Sequence, residues 1–368
     1  MSDAAEIKYG LAGVIADETA ISKVMPETNS LTYRGYAVEE LCAHCDFEQT
    51  AYLLLHGELP DAEQLVAFAG AERARRVLPW KVQQSIMMSA ADAHPMDVLR
   101  TAVSVLGAED ARAAGDDLAR VIDLYARIPT IVAMDYRRRR GEEPIAPRGD
   151  LGFSANFFFM CFGEIPAREV LKCFDISMIL YAEHSFNAST FTARTVTSTT
   201  SDVYSAVVAA IGALKGALHG GANEAVMHMM LEIGEAEAVG PWLERALADG
   251  RKIMGFGHRV YRNGDSRVPT MMEAFRAMAA LKGAVRWVEM AERLADAMLK
   301  AKNIHPNLDF PTGPAYYLMG FDIAMFTPMF VMSRIAGWGA HVLEQKANNK
   351  LIRPLSAYVG PPQRRIAG

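Results

Sequence analysis

A chain of 368 residues with 51% hydrophobic and 22% charged residues has the composition of an ordinary globular protein and, at roughly 100 to 200 residues per domain, the length for two domains. Lysine plus arginine, 38, against aspartate plus glutamate, 43, leaves a net charge of −5; that excludes the broad basic field of a nucleic-acid-binding protein, so an anionic substrate must be met by local basic clusters. The longest apolar stretches, Val203 to Leu214 and Leu151 to Gly163, fall short of the about 20 residues of a membrane span. No secretory signal follows Met1, and four cysteines are too few for a disulfide framework, so the expected location is the cytoplasm.

From Tyr9 to Tyr36 glycines, β-branched residues and turn formers mix, which predicts short strands or extended arms. Beyond them the pattern is helical nearly to the end. Cys42, His44 and Cys45 form a C-x-x-C pattern, but Cys161 and Cys173 lack the partner spacing of a zinc site. We expect no metal there; one cysteine packs on the inner face of a short helix through Val38 to Leu41. Asp61 with Gln64 predicts a capping box, and Pro95 opens a helix through Val98, Leu99, Ala102, Val103 and Leu106 that ends at Gly107. Arg137 to Arg140 read as the solvated, dipole-favoured last turn of a helix containing Pro129 to Tyr136, with no site role. Gly141 to Gly152 is an ordered loop. A helix from Val203 to Leu218 carries small residues on two faces and is expected to be buried all round, in a subunit interface. With no alternating strand pattern of useful length, the fold class is all-α.

Breaks at His219-Gly220-Gly221 and at Pro306 to Pro314 bracket a segment the size of a small domain, and both carry ionisable residues. No histidine has a second one four residues on, and no G-x-S-x-G is present, so neither a zinc helix nor a serine elbow is expected. Three segments remain. In Lys215 to Asn223, His219 precedes two glycines, which leave room for a ligand at its ring, or simply stop a helix. Met254-Gly255-Phe256-Gly257-His258 opens a glycine loop with Arg259, Arg262 and Arg267, able to offer backbone N–H groups and guanidinium charge to an anion, or to be a solvated turn. Asp309 stands in the apolar, proline-bounded stretch Asn307 to Pro314, where burial would make it a usable base, or where it caps a helix.

The order His219, His258, Asp309 within these segments resembles the citrate synthase family. So do Leu31-Thr32-Tyr33-Arg34-Gly35-Tyr36, Glu183-His184-Ser185-Phe186-Asn187-Ala188-Ser189-Thr190 and Lys350-Leu351-Ile352-Arg353-Pro354, which carry the resemblance along the whole chain. It implies a large helical domain, residues 1–219 and 314–368, and a small helical one, 220–313, closing over oxaloacetate and an acyl-coenzyme A in a homodimer with shared sites. It further implies catalytic roles for His219 (thioester carbonyl), His258 (ketone of oxaloacetate) and Asp309 (base). His184, Arg267, Arg334 and, from the partner subunit, Arg353 would hold oxaloacetate, and Arg262 with the backbone of Met254, Gly255, Phe256 and Gly257 would receive coenzyme A. The resemblance calls for no permanently bound cofactor and no metal; the acyl-coenzyme A is a co-substrate. A dianion in a closed cleft needs such paired cations, and Arg334, in the apolar run Val331-Met332-Ser333, would be costly without a counter-charge.

Where many dedicated citrate synthases have Asp-Phe-Tyr-Ser-Gly, this chain has Asp309-Phe310-Pro311-Thr312-Gly313, and Leu355 to Gly360 looks like short 2-methylcitrate synthases. The expected reaction therefore takes propionyl- and also acetyl-coenzyme A; one methylene is worth about 1–3 kcal/mol of discrimination. A dedicated citrate synthase, a citryl-coenzyme A lyase and a non-catalytic acyl-coenzyme A-binding paralogue are the alternatives. The long N-terminal extension of allosteric family members is absent, so regulation by a nicotinamide nucleotide is not expected.

Overall fold

A computed structural model describes residues 7–110, 116–258, 260–261 and 264–366. Near its start lies a three-stranded antiparallel sheet, β1 (Ser22–Met25), β2 (Ser30–Tyr33) and β3 (Tyr36–Ala37), in which Ser22 faces Tyr33 and Val24 faces Leu31. Leu31 and Tyr33 alternate inward, as period-two geometry requires. All other regular structure among the described residues is helical: α1 (Val38–His44), α2 (Phe47–His56), α3 (Ala62–Arg73), α4 (Trp80–Met87), α5 (Pro95–Asp110), α6 (Asp117–Arg139), α7 (Phe153–Phe162), α8 (Arg168–Tyr181), α9 (Ala188–Ser198), α10 (Val203–Leu214), α11 (Ala222–Ile233), α12 (Val239–Ala248), α13 (Val268–Leu281), α14 (Arg286–Lys302), α15 (Asp309–Met319) and α16 (Phe326–Ala347), with three short 3-10 turns. The all-α expectation is met.

Helix α16 is buried without interruption from Phe326 to Val342 and packs against α2, α6, α8, α9 and α10. A helix apolar all round is one that neighbours enclose. The later helices gather beside it: α12 lies on α14, and α11 and α13 both lie on α15, while α13 also rests on α8. The chemistry-bearing segments thus converge where α8, α15 and α16 meet.

Several local expectations are corrected. Helix α5 runs past Gly107 to Asp110; a Cβ on Gly107 would come within 2.7 Å of Tyr204, so this glycine admits α10 and does not stop the helix. Helix α10 ends at Leu214, earlier than Leu218, because the glycine-rich turn folds back and the Gly220 N–H reaches the Leu214 carbonyl at 2.9 Å. Within the single chain α10 leaves Ser205 and Gly212 exposed, with Val208, Ala209 and Ala213 half-buried. The arginine run is not simply solvated. Arg138 and Arg139 both bind the buried Asp135, each at 2.7 Å, and Arg137 donates to the Cys161 carbonyl at 3.0 Å, so only Arg140 is exposed. The capping box of Asp61 and Gln64 is present, Cys42 is buried on α1, and all four cysteines are free. No helix of the described residues is long and apolar enough to cross a membrane.

Candidate active site

The last carbonyls of α8 have no donor within the helix, and side chains from distant segments supply them. The Tyr33 hydroxyl on β2 donates to the carbonyls of Ile179 (3.0 Å) and Glu183 (2.9 Å). Arg334 on α16 donates from Nε to the Tyr181 carbonyl at 2.6 Å, and Arg267, just before α13, from Nη1 to the Leu180 carbonyl at 3.4 Å. The negative pole of α8 therefore draws two guanidinium groups to one place. Both are buried, at 6% exposure for Arg267 and 2% for Arg334.

Their surroundings differ. Arg267 is held bidentately by Asp265, Nε to Oδ1 at 2.9 Å and Nη2 to Oδ2 at 2.7 Å. Burial works to raise the Asp265 carboxyl, yet the Arg267 charge keeps it well below the usual carboxylate range. Arg334 lies 4.7 Å from the Phe330 ring centroid and pairs with no carboxylate among the described residues; burial brings it down to about 10, against the opposing charge of Glu183. Beside them His184 is 7% exposed, and its buried Nε2 has no partner among the described residues. A buried polar nitrogen without a partner is costly, and a ligand acceptor or donor would satisfy it.

The two other histidines have defined tautomers. Nε2 of His219 accepts the backbone N–H of Ser189 at 3.2 Å and lies 2.8 Å from the Ser189 Oγ. An amide can only donate, so the neutral ring carries its proton on Nδ1. In His258 the roles reverse: Nδ1 accepts the N–H groups of Val260 (3.0 Å) and Tyr261 (3.2 Å), which puts the proton on Nε2. Burial, then the charge of Arg334 for His219 and of Arg267 for His258, brings each ring down to about 4. Both are neutral donors at neutral pH.

Asp309 begins α15, where Leu308 occupies the capping position; a cap is not its role. Its N–H donates to Asn307 Oδ1 at 3.1 Å, and its Oδ1 accepts the Tyr181 hydroxyl at 2.6 Å. Burial pushes its carboxyl up to about 6, moderated by that hydrogen bond and by the charges of Arg267 and Arg334. Arg334 acts electrostatically on His184, His219 and Asp309, and Arg267 on His184, His258 and Asp309. Six of the expected site residues thus form one cluster.

The others stand apart. Gly255 and Gly257 both have φ of +81°, conformations that suit glycine, and they turn the chain so that Phe256 bridges Pro306. The Gly257 N–H is taken by the His305 carbonyl at 2.8 Å, so it is not free for a ligand; Met254 and Phe256 are half-buried. Arg262, like Arg259, lies outside the described residues. Arg353 is exposed on the extended segment after α16, which is tethered where the Ile352 N–H meets Ser198 Oγ at 3.0 Å. Among the described residues no group of three or more His, Cys, Asp or Glu could hold a metal ion.

Sequence reasoning missed Tyr181, Asp265, Glu183 and Ser189 as parts of the site. Each stands within six residues of an expected one, but a tyrosine in an apolar run or an aspartate in a polar loop carries no sign of its tertiary partner. Glu183 accepts from Ser22 and lies 2.9 Å from His341 Nε2, with burial opposed chiefly by His341.

The citrate synthase C-terminal domain family model matches residues 10–355. The chain is 59% identical to a citrate synthase of Mycolicibacterium smegmatis, covering 99% of this chain and 98% of that one. It is also 59% identical to a 2-methylcitrate synthase of Mycobacterium tuberculosis, strain Erdman, over 99% of this chain and 93% of that one. A solved structure of Thermoplasma acidophilum citrate synthase, in ternary complex with carboxymethyl coenzyme A and oxaloacetate, superposes with a TM-score of 0.94 at 31% identity, covering 99% of this chain and 98% of that one. With fold, site order and sequence agreeing over nearly its whole length, the chain belongs to the citrate synthase family.

Proposed function

We propose that the enzyme condenses oxaloacetate with propionyl- or acetyl-coenzyme A and hydrolyses the resulting thioester, releasing 2-methylcitrate or citrate and free coenzyme A. The observation that carries this reading is a carboxylate raised to about 6 in one cluster with two neutral, tautomer-locked imidazoles. Asp309 removes a proton from the carbon next to the thioester carbonyl. The His219 Nδ1–H donates to that carbonyl oxygen as negative charge develops on it. The His258 Nε2–H polarises the ketone of oxaloacetate, and the new carbon–carbon bond forms at the ketone carbon. Water then cleaves the thioester, and the thiol leaves.

Oxaloacetate sits against Arg267, Arg334 and His184, whose unpartnered Nε2 favours a bound acceptor or donor. Arg353 of a second copy adds a further charge in a homodimer, and residues 220–313 close over the cleft as the smaller domain. Coenzyme A approaches along Met254 to Gly257 with Arg262 at its phosphates. Relatives of both names at equal identity support acceptance of both acyl groups. The test is thiol release from purified protein with oxaloacetate and each acyl-coenzyme A in turn. We expect release with both and at least a 100-fold loss in Asp309→Asn, the scale of a lost general base. Protein that frees no thiol with either substrate sinks the reading, and kcat/KM for the two decides the preference.

A further inference from the structure

Tyr181 touches both halves of the chemistry. Its carbonyl accepts from Arg334, its ring centroid lies 4.2 Å from that of Phe330, and its hydroxyl is 2.6 Å from Asp309 Oδ1. The backbone that carries it is itself fixed, since Tyr33 and Arg267 bind the carbonyls just before it. The hydroxyl therefore has little freedom to follow the carboxylate; the carboxylate must come to it.

We propose that Tyr181 is a positioning residue for the base, its hydroxyl donating to Oδ1 of Asp309 so that the carboxylate is oriented, remains ionised, and presents Oδ2 as the oxygen that takes the proton. This rests on Asp309 being the base. In the step it serves, the C–H bond beside the thioester breaks and its electron pair moves into the carbonyl. The proton passes to Oδ2, and the enolate oxygen is met by the His219 Nδ1–H. A donor to the charged form of a carboxylate favours that form, so the phenol counters the burial that raises Asp309.

The groups facing Asp309 make a pH test clean. They are Arg267 and Asp265 from the segment before α13, Arg334 from α16, Tyr181 from α8 and Tyr316 from its own helix. Burial raises both tyrosines, Asp265 is held low and Arg267 high by each other, and Arg334 stays at about 10. The neighbouring imidazoles are lowered, to about 4 in His219 and His258. An acid limb near pH 6 in kcat/KM therefore reports Asp309.

The experiment is the thiol-release pH profile, from about pH 5 to about pH 9, of the unaltered enzyme, Tyr181→Phe and Asp309→Asn. Activity falls as pH drops through the pKa of the base, so Tyr181→Phe, which loses the donor, should move its acid limb alkaline by about one pH unit. At pH about 6 that is a several-fold loss, shrinking as pH rises. A loss by the same factor at every pH marks a packing role and overturns the proposal. Should Tyr181→Phe fold poorly, 3-fluorotyrosine introduced at position 181 alone keeps the shape and is a stronger donor; its limb should move to the acid side, and an unmoved limb overturns the proposal equally. Full activity in Asp309→Asn would instead sink the base assignment itself, a distinguishable failure.

Discussion

Asp265 joins two parts of the site through one carboxyl group. Its oxygens bind Arg267, and Oδ2 also accepts the Leu308 N–H at 3.2 Å, one residue before Asp309. The carboxylate thus orients Arg267, the arginine proposed to hold oxaloacetate, and the start of α15 together. Asp265→Asn keeps the size and one acceptor but leaves the buried Arg267 without a counter-charge. Breaking a buried pair in this way costs about 3 kcal/mol, and we expect a loss of that order in urea unfolding. Oxaloacetate, which restores negative charge beside Arg267, should raise the melting temperature of the variant more than that of the unaltered protein. Equal ligand shifts would show that Asp265 does not shape the anion site. His219, His258 and Asp309 were legible in the sequence because each sits in a short run whose glycines or prolines mark it as special. Asp265 and Tyr181 were not: the Tyr181–Asp309 contact spans 128 residues, and no local pattern encodes such a pairing.

Helix α16 makes the same point one scale up. Its unbroken burial suits the apolar run around Arg334, but its closeness to α8 depends on Gly337. A Cβ there would stand 2.3 Å from the Ala182 carbonyl oxygen and 2.4 Å from Glu183 Oε2, backbone and buried carboxylate that cannot swing away. Gly337→Ala should therefore push α16 off the end of α8, at a cost of about 1–3 kcal/mol, and carry Arg334 with it. Denaturant unfolding checks the stability, and KM for oxaloacetate, expected to rise, checks the displacement; if neither changes, the two helices are not held by this contact. Propensity and capping made the helices legible, as at Asp61, yet they misread Gly107. A glycine in a helical pattern reads as a stop, whereas here it is the gap through which another helix approaches, and only the tertiary neighbour Tyr204 tells the two apart. The proline-rich start of α15 was read as a break for a like reason: Pro311 falls in the first turn, where its missing N–H forfeits no intrahelical bond.

At the scale of the whole molecule, a net charge of −5 says nothing of a site that gathers Arg267 and Arg334, because whole-chain charge averages the local field away. Two surfaces of the single chain are exposed to solvent. One is the exposed pair Ser205 and Gly212 on α10; the other is the extended segment after α16, with Leu355 at 89% and Val359 at 95% exposure. In the proposed dimer such apolar side chains would be covered, and Arg353 would reach the partner's cleft. A site shared in this way would have a quantitative consequence. Arg353→Ala and Asp309→Asn should each be nearly inactive alone. When the two are unfolded together and refolded at equal concentration, half the dimers pair one chain of each kind. In such a dimer one cleft combines the intact Asp309 with the intact Arg353, while the other carries both substitutions. Thiol release should therefore return to about one quarter of the unaltered enzyme's rate. If Arg353 serves the cleft of its own chain, every cleft in every mixed dimer holds a substitution, and the mixture stays as inactive as its parts.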